Sequence, residues 1–320
     1  MTAFTPMAVQ ATAGIAPVAA LVSRADVAIL RAVLYADVFD YALTLPQVHR
    51  YLEGEAMPLE AVRQALVSSP WLAGRVEMVD GYVVASGRAE LARERGRRAE
   101  RARRLWPAAR WYGRWMARLP FARMVAVTGA LSMDNVDGDD DIDYFIVTAP
   151  GRVWLTRAFS ILLVRLARLA GTNLCPNYLL ADSALLQERR DLFVAHELAQ
   201  MVPLVGKAVY ERIWAANVWL VDILPNVSPL AQAEPEASEG GPGHWVQRAL
   251  EWALGGKLGD VLENWERTRK LAKFRQQMAA AGAGAAALDE SRVKGHFHDY
   301  GTVALAEFEK RCRAYLGGAS

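Results

Sequence analysis

Cysteine is scarce in this chain. Its 320 residues hold two, Cys175 and Cys312, far apart and part of no Cys-x-x-Cys or Cys/His motif. That excludes a disulfide scaffold and a cysteine-rich zinc module, and it suits a reducing cytoplasm. Net charge is nearly absent as well, at +2, so no global field marks the chain as a nucleic-acid binder. An uninterrupted membrane-length apolar run is also missing: the longest apolar helix candidate, 153–169, is broken by Arg157, Arg165 and Arg168. The apolar start of the chain lacks the basic segment of a secretory signal. Apolar residues themselves are plentiful, at 53%, which argues for a real core and against wholesale disorder. The length allows two or three domains. The expectation is a soluble cytoplasmic protein with no membrane partner.

The most informative stretch is 125–148, VAVTGALSMDNVDGDDDIDYFIVT. An apolar run leads to the small pair Gly129-Ala130, then a polar loop containing Ser132, then Asp141-Ile142-Asp143 opening a second apolar run. On a strand, Asp141 and Asp143 project from one face. Neighbouring carboxylates repel unless solvent or a cation relieves them. Oxygen-only ligands suit a hard ion such as Mg2+, which typically keeps sites for phosphate and water. The small residues at 129–130 permit a tight turn whose N–H groups face an anion. A plain solvated Asp turn is the bland alternative. An EF-hand loop fails, because Tyr144 and Pro150 stand where its glycine and terminal glutamate belong. Neither alternative accounts for acids running straight into an apolar strand.

This arrangement resembles the signature of the DNA polymerase β-like nucleotidyltransferase superfamily: an apolar strand, Gly-Ser or Gly-Gly, a polar loop, then Asp-x-Asp starting the next strand. Gly129-Ala130 takes the Gly-Ser place, and residues 131–140 fill the loop. The resemblance covers about the middle third of the chain. It departs at Ala130, where serine is usual, with Ser132 as a substitute hydroxyl two residues on. The family's third acid sits on the following strand. Here Asn177 stands at the expected place, with Asp182 just beyond the strand.

Upstream, residues 1–22 read as a flexible lead-in. Ser23 or Asp26 caps a first helix, 45–52 and 58–67 give two more, and 75–79 and 82–85 flank Asp80-Gly81 as a hairpin. Three helices followed by a hairpin resemble a winged-helix domain over 23–86. Its third helix would turn Arg63 and Gln64 outward to a nucleic acid or, more in keeping with its low basicity, a protein partner. Residues 87–118 form a basic helical linker, kinked or divided at Pro107, with arginines and Trp106, Trp111 and Trp115. Its bland reading is an exposed helix with local Glu–Arg pairs.

Downstream, the core runs from 119 to 224. It holds a helix at 153–170, a third strand at 173–180, and a mostly helical stretch 191–224 broken at Pro203. That stretch carries His196, Glu197 and Gln200. His196 is either a general base or substrate contact, or a hydrogen-bonded core residue. Residues 225–243 read as a mobile loop, and 244–320 as a helical region closing the cleft. Lys294 and His298, in the run 294–301, are placed to neutralise a triphosphate and to accept a hydroxyl proton.

The fold class expected is therefore α+β: a small mixed-sheet core, an N-terminal winged helix and a helical C-terminal region. The resemblance implies an enzyme that moves a nucleoside monophosphate from an NTP to a hydroxyl on RNA, protein or a small molecule. Asp141 and Asp143 would hold Mg2+ (or Mn2+), with Asp182 as a further catalytic acid. Gly129, Ala130, Ser132, Asn177, Lys294 and His298 would contact the nucleotide. The alternative is a regulatory nucleotide- or nucleic-acid-binding protein with a degenerate core. A toxin–antitoxin-type enzyme that modifies a protein or tRNA is a third reading.

Overall fold

Local chemistry sets the first elements. Ser23 caps α1 (Arg24–Asp37) in a reciprocal box with Asp26. Thr44, ending the two-residue strand β1 (Leu43–Thr44), does the same with Gln47 for α2 (Leu45–Arg50). After α3 (Leu59–Ser68) comes the hairpin β2 (Val76–Val79) and β3 (Tyr82–Ala85). Asp80 and Gly81 both take positive φ, 51° and 81°, as a two-residue hairpin turn with right-handed strand twist requires. The three strands pair antiparallel in the order β1-β3-β2.

The computed structural model describes residues 22–138, 141–230, 242–281, 289–294 and 300–316. Nearly all of the expected flexible lead-in, most of the 225–243 loop and the 295–299 turn with His296 and His298 lie outside these residues. Among the described residues the protein is a mixed helix-and-sheet structure with two separate sheets, and no helix is long and apolar enough to cross a membrane.

The second sheet has the order β7-β4-β5-β6-β8. It comprises β4 (Ala122–Val127), β5 (Ile142–Thr148), β6 (Leu174–Ala181), β7 (Val202–Val205) and β8 (Arg292–Lys294). β5 and β6 run parallel and the other pairs antiparallel. α5 (Gly129–Ser132) follows β4, and α6 (Val153–Leu169) makes the crossover from β5 to β6. α7 (Leu192–Gln200) precedes β7, and α8 (Lys207–Ala216) and α9 (Leu220–Ile223) follow it.

Alternation along the strands divides the core in two. Val125, Val127, Tyr144 and Ile146 point to one face with Trp154 of α6 and Tyr112 and Met116 of α4 (Glu90–Ala117). Met124, Ala126, Phe145 and Val147 point to the other, continuous with α7, α8 and the N-terminal helices. α10 (Pro242–Leu254) and α11 (Lys257–Ala281) belong to the first side, where Glu263 accepts the Trp154 and Leu155 N–H groups at 2.9 and 2.7 Å. α12 (Tyr300–Leu316) packs against α1 and α7 on the second.

One expectation is refined and another corrected. The stretch 191–224 is mostly helical with its break at Pro203, as expected, but the break is itself an element: 202–205 forms edge strand β7 with Pro203 opposite Ala126. An edge strand tolerates proline, since the missing N–H faces away from the ladder. The basic helix is neither divided at Pro107 nor merely a linker. α4 runs as one element through it, burying Leu91, Ala102, Ala109, Tyr112 and Met116. The carbonyl that Pro107 leaves without a donor belongs to exposed Arg103, where water can replace the lost bond.

Candidate active site

The strand directions bring one set of ends together. β4 finishes at Val127, β5 and β6 begin at Ile142 and Leu174, and β8 finishes at Lys294 opposite Tyr178. Gly129, Asp141, Asp143, Asn177 and Lys294, scattered in sequence, therefore share one edge of the sheet.

Gly129 has φ +65°, a left-handed conformation that favours glycine. A Cβ there would sit 3.2 Å from Cγ of Asp143 and closer still to its Oδ2. The Asp143 carboxylate thus rests on the bare Cα of the turn, while its backbone carbonyl accepts the Thr128 N–H at 3.0 Å. Asp143 is half-buried and Asp141 exposed. Both have the strand parity of Phe145 and Val147, so they share the sheet face that carries α7 and α1.

Opposite Asp143 on β6 stands Cys175. Burial first, then the Asp143 charge and hydrogen bond and the Asp141 charge, push its thiol up to about 12. Both carboxylates therefore act on one point, and Cys175 stays a thiol at neutral pH. The ladder here corrects the expected third position. It pairs Asp143 with Cys175, two residues before Asn177, and a bulge between Tyr144 and Phe145 leaves Asn177 itself without a cross-strand partner position. Asp182 is corrected too. It follows the far end of β6, beyond the Thr148–Ala181 pair, and accepts both of its bonds from Arg212 at 2.6 Å. No site near Asp143 includes it. Among the described residues no three His, Cys, Asp or Glu side chains gather as a metal site.

The loop after the turn is held from outside. Arg95 donates to the Asp134 carbonyl at 2.8 Å and to the Tyr41 hydroxyl at 2.9 Å. Trp106 donates to the Asp134 carboxylate at 2.9 Å. Arg98 reaches the Asp40 carbonyl, Asn135 and Asp137 at 2.9, 3.2 and 3.4 Å, and Arg101 reaches Asp137 at 3.1 Å. The arginine run of α4 thus splits. Arg104 pairs with Glu100 as the spacing predicts, and Arg97 and Arg103 pair with Glu94 and Glu100, while Arg95, Arg98 and Arg101 fasten the Asp-rich loop, so the Glu94–Arg98 pair expected from spacing gives way to Glu94–Arg97. Ser132 spends its hydroxyl proton on the Gly129 carbonyl at 2.8 Å, so it is not the substitute donor expected.

Gly129 and Ala130 line a cavity of about 460 Å³ between α1 and α7. That is within the ordinary range of small-molecule sites. Its walls include Tyr35, Phe39, Tyr51, Phe193 and Tyr300, with Glu197 and Gln200 from α7. His196 lies stacked on Tyr35, centroids 3.9 Å apart. Burial pulls its imidazole down to about 3, and Nδ1 accepts the Gln200 amide at 3.2 Å. It is a neutral packing residue and not a general base at neutral pH. Burial raises the Glu197 carboxyl while the Lys294 charge opposes the shift.

A second hollow of about 60 Å³ joins Thr128, Asn177, Glu197 and Lys294. Asn177 Oδ1 is buried there without a hydrogen-bond partner among the described residues. His298 lies outside the described residues. The aromatic wall from α1 and the segments that follow α1 and α2 carries no motif in the sequence that marks it as a cavity. Comparison of the chain with protein-family models, with curated proteins and with solved structures finds no match.

Proposed function

We propose that this protein is a metal-dependent nucleotidyltransferase. It transfers a nucleoside monophosphate from an NTP to a hydroxyl acceptor, on a small nucleotidyltransferase-type core with a winged-helix-type N-terminal unit. One observation carries the reading: a carboxylate pair whose second member, Asp143, lies on the bare Gly129 turn at the wall of a nucleotide-sized cavity. A solvated surface turn has no need of that close approach.

The donor set suits a hard divalent ion. Asp141 and Asp143 are oxygen ligands on one face, and a phosphate and water can complete the shell of Mg2+ (or Mn2+). Bound there, such an ion supplies charge neutralisation for the triphosphate and activation of the acceptor hydroxyl. The chain's own groups do the rest. Ala130, beside the Gly129 turn that seats Asp143, offers only a small side chain to an approaching phosphate. Lys294, at the same sheet edge, adds positive charge. Cys175, held as a thiol, adds no third negative charge, and the unpaired Asn177 Oδ1 is an acceptor one hollow away.

The test is Mg2+-dependent turnover of each NTP by the full chain against panels of RNA, protein and small-molecule hydroxyls. Asp141→Asn and Asp143→Asn should each abolish it. Unchanged turnover in both variants sinks the reading.

Cys175 in the place of a third acid favours a second reading, a nucleotide-binding regulator with a degenerate core. Calorimetry would then show Mg2+-NTP binding with no turnover. A duplex-binding version draws less support, because Arg98 and Arg101 are engaged with Asp137 and Arg63 pairs with Glu60 at 3.3 Å. Little counter-ion release is left for those side chains to supply.

A further inference from the structure

The large cavity differs chemically from the turn it adjoins. Its walls are largely rings and aliphatic side chains, and among the described residues the arginine lining it, Arg98, already serves Asp40, Asn135 and Asp137. Glu197 adds a carboxyl. A phosphate entering this space would meet apolar surface and a repelling acid, so the triphosphate stays outside at Gly129. What suits the interior is a flat, apolar ring system.

Two polar side chains of α7, Glu197 and Gln200, face the rings. No described residue hydrogen-bonds the Glu197 carboxyl, and Gln200, with one amide N–H on His196, keeps its carbonyl oxygen and its second N–H. A ligand that pairs the Glu197 carboxyl and the Gln200 carbonyl must present N–H donors on its edge, and the second Gln200 N–H can meet a ring nitrogen beside them.

We infer that this cavity receives the purine base of the nucleotide, flat against the tyrosine-rich wall, with its amino-bearing edge at Glu197 and Gln200. This rests on the nucleotidyltransferase reading for the rest of the nucleotide, but the base site is tested without phosphate or metal. A base that pairs these acceptors is favoured over one lacking the donor, which on filling the cavity leaves them unpaired.

The experiment is calorimetric titration of the full chain with adenosine, guanosine and purine riboside, the last having no amino group. Adenosine or guanosine should bind at least about tenfold more tightly than purine riboside. In Glu197→Leu and in Gln200→Leu the preference should shrink to within about threefold, with the thermal transition retained as a check on folding. Two variants are used so that a folding failure in one leaves the other decisive. Absence of nucleoside binding overturns the inference. So does equal affinity for all three ligands, or tighter binding of an alkylammonium ion, which would make the rings a cation cage. NTP turnover without nucleoside binding sinks the base site alone, and nucleoside binding without turnover sinks the transferase reading alone.

Discussion

The carboxylate of Asp143 lies against the α-carbon of Gly129, where no other residue type leaves room for it. Two constraints coincide at that glycine, the positive φ and the contact. Gly129→Ala should therefore cost more than the ~1–2 kcal/mol of left-handed strain alone. It should also displace Asp143 and lower NTP turnover by at least about a hundredfold, the scale on which small misplacement harms catalysis. Gly138, with φ +59° and nothing within 4 Å of an added Cβ, is the control: its alanine variant should show the strain without the loss of turnover. Thermal unfolding and turnover of the two variants separate the effects.

Arg98 and Arg103 sit on the same helix and differ in what they hold. Arg98 is nearly enclosed, its side chain 12% exposed, and it joins three polar groups around the Asp-rich loop. Arg103 is 76% exposed and pairs only with Glu100. Arg98→Ala should cost about 1–3 kcal/mol and speed amide hydrogen exchange across 133–138. Arg103→Ala should do neither, as exposed pairs contribute little. Equal exchange in both variants would show that the loop does not depend on the helix.

What could be read in the sequence was local. Asp80-Gly81 forces its hairpin by backbone conformation alone, and the Gly-loop-Asp-x-Asp spacing located the turn and the acid pair. β7 was not legible because Pro203 sits between two helical patterns, and only the sheet edge it occupies makes it a strand. The residue opposite Asp143 is not legible because it depends on the register of β6 against β5, which pairs Asp143 with Cys175 rather than Asn177 and which spacing along one chain does not record. Asp182 looked like a ligand only because it was the nearest acid; Arg212, thirty residues on, claims it. The aromatic cavity could not be anticipated, since a tyrosine facing a cavity and one facing a core have the same helical spacing.

His196 sets an acid limit on stability. Its folded-state value of about 3 lies below the ordinary 6.5, so between those values the unfolded chain binds a proton that the folded chain refuses. Stability from this residue is complete above the ordinary value and is lost as pH falls toward 3, by up to about 1.4 kcal/mol per pH unit. Glu197 works in the opposite sense. Its value is raised above 4.5, so the folded state loses stability as pH rises through that higher value. In urea unfolding at pH 7 and pH 5, His196→Phe should keep the ring stack on Tyr35 and shrink the drop between the two conditions. An unchanged drop would place the acid sensitivity elsewhere.

Glu263 tests how the C-terminal helices are fastened. It is 7% exposed and takes the Trp154 and Leu155 N–H groups at the first turn of α6, where the helix leaves its donors unmatched. Its carboxyl is raised by burial, against the pull of those two N–H groups and of Arg152 and Arg267. Glu263→Ala deletes the acceptor and leaves both donors buried, so a loss of about 2–4 kcal/mol is expected, the sum of a cap and a buried unsatisfied group. Glu263→Gln keeps one acceptor oxygen and should lose less. Because α6 bridges β5 and β6, the strands that set Asp143 opposite Cys175, loosening its first turn should also weaken Mg2+-NTP binding in calorimetry. If Glu263→Ala lowers stability and leaves that binding untouched, the clamp serves the fold and not the site.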